Sequence, residues 1–296
     1  MPNAYNLGNA KYCSFGDENV IEIYVGNTST WQCNSTTFIV NAEDGASTAQ
    51  LKVANADSMR GVKRLLINGN MQDLPTGTAY NQTTAYTVAN GSLIRIYGDF
   101  SLCGTTAKMT NIKLQTNISI YFMFNQCTSL VEAPELPEGI TIFTGMFCRC
   151  SNLKKASRIP EGARYAGQMF YFCRALEEAP ELPNTLQDCS TMFGDCSSLT
   201  VAPEIPVSCT NCSRMFYRCT SLTTLPQRNI DLMANTPTNL SCAGCYHGCT
   251  NINCINTNWQ TNGLPEIITY ADIPAAWKDI NQQTLNLEAE EDDYWN

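Results

Sequence analysis

A Met-Phe pair returns along the chain every 23 residues, and this interval constrains the fold more than any other feature of the sequence. The pair begins at Met123, Met146, Met169, Met192 and Met215. A period in the twenties indicates that each repeat is one turn of a solenoid, which buries its apolar positions only by stacking on its neighbours. We therefore predict a repeat solenoid.

Four positions of the repeat keep their residue type while the positions between them vary. Counted from Met, they are the first, the second, the fifth and the eighth. Soft, aromatic and aliphatic side chains that recur in this way are expected to stack as ladders in the core. The predicted ladders are Met123, Met146, Met169, Met192 and Met215; Phe124, Phe147, Phe170, Phe193 and Phe216; Cys127, Cys150, Cys173, Cys196, Cys219 and Cys249; and Leu130, Leu153, Leu176, Leu199 and Leu222.

A proline segment follows the leucine in most repeats, as in APELP at 133–137 and 179–183 and APEIP at 202–206. Proline cannot donate a ladder hydrogen bond, so these residues are expected to end a strand or to lie at its edge. A sixth repeat starts late, with Cys245 in the Met position and Tyr246 in the Phe position. The delay indicates an insertion near 228–239.

The unit [MA]-F-x-x-C-x-x-L-x-x-[AI]-x-[LI]-P resembles the BspA-type leucine-rich repeat, also called the Treponema pallidum type. Its Met-Phe and APxLP segments are especially similar to the form found in Bacteroides proteins and gut bacteriophages. The resemblance is good over residues 123–258 and weak over 62–122. It implies a leucine-rich-repeat-like solenoid that is curved or twisted and used for binding or adhesion, and it implies no reaction.

Four segments are predicted along the chain. Residues 1–60 form a β-rich N-terminal cap or docking module, because NVIEIYVG, STTFIVNA and TAQLKVAN are β-branched runs separated by Gly, Asn and Asp. Residues 61–122 hold irregular leading repeats, 123–259 the regular repeats, and 260–296 a short helix and an acidic tail. The predicted fold is therefore mainly β and irregular turns.

The C-terminal segment carries two local signals. In ADIPAAWKDIN, Asp272 is placed to cap a short helix that has Pro274 in its first turn. Five acids between 288 and 293 are followed by Tyr294 and Trp295. The first interpretation is a solvated terminus. The alternative is docking onto a basic groove of a partner through Tyr294 and Trp295, since adjacent aromatics of this kind anchor interfaces.

Charge and hydropathy exclude two classes of partner. The net charge is -9 and the sequence pI is near 4.7, whereas nucleic-acid binding depends on clustered Lys and Arg. The longest apolar runs, such as ISIYFMF at 118–124, are much shorter than the ~20 residues of a membrane-spanning helix. We expect neither nucleic-acid binding nor membrane insertion.

Two CxxC pairs have the spacing that is typical of a zinc ribbon: Cys209 with Cys212, and Cys242 with Cys245. Three of these four cysteines fall in columns of the repeat, where a small buried apolar residue explains them without metal. We favour that interpretation over zinc. His247, the single histidine, could complete such a site but is interpreted as an exposed turn residue.

The other cysteines pose the question of disulfides. Stacked side chains of one column point the same way, so the ladder cysteines are predicted to be free thiols. Cysteines outside that column are freer to pair, and whether they do is left open: Cys13, Cys33, Cys148, Cys209 and Cys254.

Catalysis finds little support in the sequence. One histidine in 296 residues excludes most histidine-dependent triads, and the chain contains neither G-x-x-x-x-G-K-[ST] nor G-x-S-x-G. We predict a protein that is not an enzyme and needs no cofactor.

Function is therefore expected on exposed faces of the repeats. The predicted binding surface is Tyr165, Tyr171, Arg174, Tyr217 and Arg218, since aromatics and Arg dominate binding hot spots. Protein or cell-surface glycan partners are expected, and other virion proteins and a homo-oligomer are allowed.

Three hypotheses follow. The first is a bacteriophage virion component made in the host cytoplasm, such as a fibre, decoration or receptor-binding protein, because MPNAYNLGNAKYC has no features of a secretory signal. The second is a BspA-type adhesin on the bacterial cell surface, and the third is an intracellular scaffold for protein partners.

Overall fold

The computed structural model describes residues 35–42, 46–56, 61–77, 81–114, 119–255 and 267–279, together with the backbone of strands in 10–11, 22–25, 28–32, 256–261 and 264–266. The chain divides into two compact units, Met1–Ser119 and Ile120–Asn296. The described part is rich in β-structure and its helices are few and short. No helix within it is long and apolar enough to cross a membrane.

The first unit is built from antiparallel strands. Three sheets are seen among its described strands, in the orders β1-β2-β3, β11-β4-β9-β6-β7 and β10-β5-β8. The strands are β1 (Ala10–Lys11), β2 (Glu22–Val25), β3 (Thr28–Gln32), β4 (Thr36–Asn41), β5 (Thr48–Asn55), β6 (Val62–Ile67), β7 (Asn70–Met71), β8 (Thr84–Ala89), β9 (Ser92–Gly98), β10 (Phe100–Ser101) and β11 (Lys108–Lys113).

Alternating burial explains how β4 and β9 pair. Every second residue of β4 is buried, including Phe38 and Val40, and in β9 Ile94 and Ile96 are buried in the same way. Phe38 lies opposite Ile94 in the antiparallel register. Because side chains alternate between the two faces of a strand, this register places both apolar sets on one buried face.

The predicted division at residue 60 differs from the structure. The three β-branched runs do contain strands β2, β4 and β5, but β5 pairs with β8 and β4 pairs with β9, both across that division. These pairings are antiparallel, whereas stacked turns of a repeat would pair in parallel. Residues 62–114 therefore belong to the same unit as the preceding strands and are not leading repeats.

In the second unit, residues 23 positions apart are joined by parallel bridges. One row of bridges links Ile142, Tyr165, Asp188 and Asn211 in succession. A second row links Glu132 to Lys155 and Lys155 to Glu178, and later Val201 to Thr224. Each repeat thus lies beside the next at the offset of the sequence period.

The predicted ladder positions form the interior of this stack. All the Met, Phe and Cys residues of the ladders have no exposed surface, and the Leu residues are at most 2% exposed. Neighbouring Phe rings lie 5.5 to 5.8 Å apart between centroids and are nearly parallel. Tyr246 continues the row at 5.4 Å and Trp277 follows at 6.0 Å.

The turns at the Met-Phe pairs use left-handed backbone. The residues one before and three after the Met position have φ between 49° and 77° in all six repeats. In the second repeat they are Gly145 and Arg149. Such a residue at the third position of a four-residue turn is typical of type II geometry and favours Gly. Most of these positions hold other residues, so the repeat keeps a strained turn at regular intervals.

The insertion before the sixth repeat folds as helix α1 (Gln227–Ala234). Asn229 holds it to the preceding repeat, since its Nδ2 donates to Pro203 O at 3.0 Å and its Oδ1 accepts from Ile205 N at 2.9 Å. Arg228 Nε donates to Ile205 O at 2.8 Å. The bridge from Asn211 to Ser241 then restores the register.

The described chain ends with the hairpin of β12 (Asn253–Thr261) and β13 (Leu264–Thr269), a 3-10 helix (Tyr270–Asp272) and helix α2 (Ala275–Lys278). The predicted cap by Asp272 is wrong, because Pro274 is the N-cap of α2. Asp272 Oδ2 instead accepts from the N–H and hydroxyl of Thr269 at 2.9 and 2.7 Å. Those bonds begin the 3-10 helix. The predicted docking residues Tyr294 and Trp295 lie outside the described residues.

Candidate functional site

The cysteine ladder connects neighbouring repeats through hydrogen bonds. Each thiol donates to the carbonyl oxygen of the Phe in the preceding repeat, and that oxygen also accepts the N–H of its own repeat's Cys. The pairs are Cys150–Phe124, Cys173–Phe147, Cys196–Phe170, Cys219–Phe193 and Cys249–Phe216, at 2.9 to 3.1 Å. A thiol is needed here as a donor and not only as a small apolar group, which sequence reasoning missed.

Burial makes these ladder thiols unreactive. It raises the pKa of Cys173 and Cys219 well above the usual range of a thiol, and it raises the pKa of Cys196 and Cys249 as well. Because the thiolate is the nucleophile and metal ligand, protonated and enclosed thiols of this kind have a structural role.

The four cysteines of the zinc alternative all lie in the described part of the chain. No group of three or more His, Cys, Asp or Glu side chains there is arranged to hold a metal ion. No disulfide joins the cysteines of this part to one another, Cys148, Cys209 and Cys254 included, whereas Cys13 and Cys33 lie outside it. Cys242 donates to Ala276 O at 3.7 Å instead.

His247 has a structural role that its sequence context did not predict. Its Nδ1 lies 2.8 Å from Lys278 O, and its ring stacks on Tyr217 with 5.4 Å between centroids. The residue is half-buried, so the interpretation as an exposed turn residue is wrong. His247 joins the last turn of the repeats to helix α2.

The five predicted binding residues do not share one exposed face. Tyr165 lies in the first row of bridges and is 43% exposed. The other four lie along the turn ridge, which we define as residues 121–128, 144–151, 167–174, 190–197, 213–220 and 243–250. On it Arg174 and Arg218 are exposed and Tyr171 is half-buried. Tyr217 is 2% exposed, because His247 covers its ring.

Arginine and aromatic side chains contact each other on the turn ridge. The guanidinium groups of Arg149 and Arg174 lie 5.2 and 5.1 Å from the centre of the Phe172 ring. Arg218 lies 5.0 Å from the centre of Tyr217. Contacts of this kind contribute about 0.5 to 1 kcal/mol each at exposed sites. They hold the arginines against the ridge and leave Arg174 and Arg218 open to solvent.

The first row of bridges, which we call the bridge row, presents different chemistry at equivalent backbone positions. Its members are Ile142, Tyr165, Asp188, Asn211 and Ser241, and each bridges its neighbour in parallel. Ile142 is 47% exposed beside the exposed Tyr165. The first two repeats thus offer an apolar surface, while the later ones offer carboxylate, amide and hydroxyl groups.

Comparisons with known proteins give one structural likeness. A leucine-rich repeat protein from Bacteroides ovatus, known from a crystal structure, is similar over 50% of this chain and 42% of its own length, with 20% identity and a TM-score of 0.36. This chain therefore spans less than half of that protein. No protein-family model and no curated protein matches the chain.

Proposed function

We propose that the chain is a non-enzymatic binding or structural protein whose repeats form a leucine-rich-repeat solenoid of the BspA type. The contrast between its interior and its surface carries the proposal. The ladders repeat the same four residue types, whereas the bridge row places five different side chains on one repeated backbone geometry. A stack of this kind lets the surface vary while the core stays constant.

Binding is assigned to two strips of this surface. The apolar end of the bridge row, Ile142 and Tyr165, supplies exposed area of the kind that interfaces bury. The turn ridge supplies Arg174 and Arg218, which are held in place by aromatic rings. Rigid anchors lose little conformational entropy on binding, so a protein partner fits this surface best.

We place the protein in a bacteriophage virion, as a fibre, decoration or receptor-binding component. Two observations support this location. The first is the resemblance of the Met-Phe and APxLP segments to the repeat form of gut bacteriophages, and the second is that no disulfide joins the described cysteines to one another. Free thiols persist in a reducing cytoplasm, where virions assemble. The alternative locations are the bacterial cell surface and the cytoplasm, where the protein would act as an adhesin or a scaffold.

Mass spectrometry of purified virus-like particles, with membranes and cytosol from the same culture analysed in parallel, tests the location. A virion component is recovered in particles at a fixed ratio to the capsid protein. Recovery only in membranes or only in cytosol would replace the virion with the adhesin or the scaffold.

Site-specific photo-crosslinking tests the surface. Benzoylphenylalanine replaces Tyr165 in the bridge row, and the same group replaces Val207 as a control, since Val207 is 64% exposed but lies outside both strips. We expect a covalent adduct with a neighbouring protein at 165 and none at 207. Equal adducts at both positions, or none at 165, would contradict this assignment.

A further inference from the structure

The turn ridge concentrates positive charge in a protein that is acidic overall. Its six turns hold four arginines, Arg149, Arg174, Arg214 and Arg218, against a single acid, Asp195. The net charge of the whole chain is -9, and the APELP and APEIP segments between the turns carry glutamate. A strip of one charge raises the local concentration of ligands of the opposite charge. The ridge therefore favours an anionic ligand.

Two of these arginines are exposed and have no neighbouring acid to neutralise them. Arg174 and Arg218 are exposed, and no acid of the described part of the chain forms an ion pair with either of them. Their guanidinium groups lie 5.1 and 5.0 Å from the centre of an aromatic ring. A guanidinium that stacks on a ring uses its flat face, so its in-plane N–H groups can still donate to the two oxygens of a carboxylate.

The described chain ends beside this ridge. Lys278 O lies 2.8 Å from Nδ1 of His247, which belongs to the sixth turn. The neighbouring fifth turn carries Arg218, and a Cβ added at Gly248 of the sixth turn would lie 3.3 Å from the Cγ of Arg218. The end of helix α2 is therefore next to an exposed arginine of the ridge.

The sequence that follows has the complementary charge. Residues 280–296 lie outside the described residues, and five acids stand within 288–293. Glu288 is nine residues beyond Asp279, and a chain of that length spans up to ~30 Å. The rings of successive repeats lie 5.4 to 5.8 Å apart between the sixth repeat and the third. Three such steps, less than ~20 Å in all, reach the repeat of Arg174.

We propose that the acidic segment, residues 288–293, docks onto Arg174 and Arg218 of the turn ridge within the same chain. Its carboxylates accept hydrogen bonds from the two stacked guanidinium groups. The short connection gives the segment an effective concentration on the order of millimolar, which favours its own chain over a second copy. A protein partner of the ridge has to displace this segment, and that consequence alone rests on the proposed function.

Photo-crosslinking of the full chain tests the contact. Benzoylphenylalanine replaces Tyr294, next to the acids, and unlabelled chains are mixed with chains labelled with heavy nitrogen before irradiation. We expect cross-links within one chain to 167–174 and 213–220 of the ridge. They should be lost in a neutral variant that carries Glu288→Gln, Glu290→Gln, Glu291→Gln, Asp292→Asn and Asp293→Asn. Cross-links mainly to other surfaces, or only between labelled and unlabelled chains, would overturn the proposal, and the latter would assign the contact to a second copy.

Protection of the arginines is a second measure that needs no cross-linker. Phenylglyoxal modifies exposed arginines, and mass spectrometry of peptides gives the rate at each one. We expect Arg174 and Arg218 to react about threefold faster in the neutral variant than in the wild type. Arg164 is exposed but lies outside the ridge, so it should react equally in both. Salt at about 0.5 M should give the same increase at the two ridge arginines of the wild type.

Equal rates at Arg174 and Arg218 in the two chains, or the same increase at Arg164, would overturn the proposal. The salt series uses the wild-type chain alone, so it decides the question even where the neutral variant does not fold. Both measurements are made without a partner. Their failure would therefore leave the binding surface at Tyr165 standing, and failure of that surface would leave this contact standing.

Discussion

The two units of this protein reach a β-rich fold by opposite routes. In the first unit antiparallel strands pair at unequal separations along the chain, such as β4 with β9 and β5 with β8. In the second unit each repeat meets the residues 23 positions away. In the first arrangement the strand that pairs with a given strand can lie at any distance along the unit. In the second arrangement the same contact between neighbouring repeats recurs at a fixed sequence interval. Regularity in sequence therefore makes tertiary contacts predictable only where the contacts are themselves periodic.

The difference also appears in how carbonyl groups are used. In the first unit the strand ladders satisfy the backbone. In the repeats, Phe147 O accepts from the Cys150 N–H of its own turn and from the Cys173 thiol of the next repeat. The thiol thus adds a side-chain donor to the backbone bonds that already join neighbouring repeats, such as Phe147 N to Met169 O at 2.9 Å.

Truncation of one ring in each unit gives the largest expected effect. Phe170→Ala and Phe38→Ala both remove rings that are at most 1% exposed, so each should lower the free energy of unfolding by about 3 to 5 kcal/mol. The pattern should differ. Hydrogen exchange should rise around Phe147 and Phe193, the rings 5.6 Å on either side of Phe170.

For Phe38→Ala the exchange should rise in β9 and β11, the strands paired with β4. If Phe170→Ala loosened only its own repeat, the ring row would not couple neighbouring repeats and the contrast between the units would fail.

A methyl group at Gly145 should have the next largest effect. Gly145 has φ +62, and an added Cβ would lie 2.3 Å from the Phe122 ring of the preceding repeat. We expect Gly145→Ala to cost about 2 to 4 kcal/mol, from backbone strain and overpacking together. Urea denaturation measures it.

Gly139→Ala is the matched control, since Gly139 has φ +81 and open space around it. Its cost should be only about 1 kcal/mol. Equal losses for the two variants would show that ring packing between repeats adds nothing to the strain of the turn.

Alkaline pH should weaken the repeats through the cysteine ladder. Burial raises the pKa of Cys173 in the folded state above its usual value of 9.0, so above about pH 9 the unfolded chain releases this proton and the folded chain keeps it. The contribution of the buried, protonated thiol to the free energy of unfolding is fully present below pH 9. Above pH 9 the free energy of unfolding should fall by about 1.4 kcal/mol per pH unit for each such thiol.

Denaturation of the wild type and of Cys173→Ala between pH 7 and 10.5 measures this slope. Above pH 9 the slope of the variant should be shallower by the contribution of one thiol. Identical slopes would assign the alkaline instability to groups outside the ladder.

Relief of a strained turn should give the smallest effect, and it should stabilise. Thr191 is β-branched and has φ 54, a backbone region that such residues rarely adopt. Thr191→Gly should raise the free energy of unfolding by about 0.5 kcal/mol, the balance of relieved strain and lost rigidity. Exposed Thr200, which is not among the positive-φ residues, should lose stability when changed to Gly, and thermal denaturation compares the two.

Several features of the candidate surface could not be predicted from local sequence. Tyr171 and Tyr217 occupy the same position in their repeats, two residues after the Met position. The burial of Tyr217 nevertheless depends on His247, which lies 30 residues further along the chain. Trp277 follows a segment without the repeat motif and still extends the row of Phe rings. Both outcomes depend on which side chain covers a position from outside its own repeat.

The sequence by itself determined the period, the identity of the interior ladders and the extra Tyr246 in the Phe column, because a stacking unit must place equivalent apolar residues at equivalent depths. It also located strands β2, β4 and β5. Only the tertiary structure decided that residues 62–114 contain strands that pair antiparallel with earlier strands, that the ladder thiols donate to Phe carbonyls, and that His247 stacks on Tyr217. These contacts join groups that no local pattern relates, and their energies depend on distances set by the folded chain as a whole.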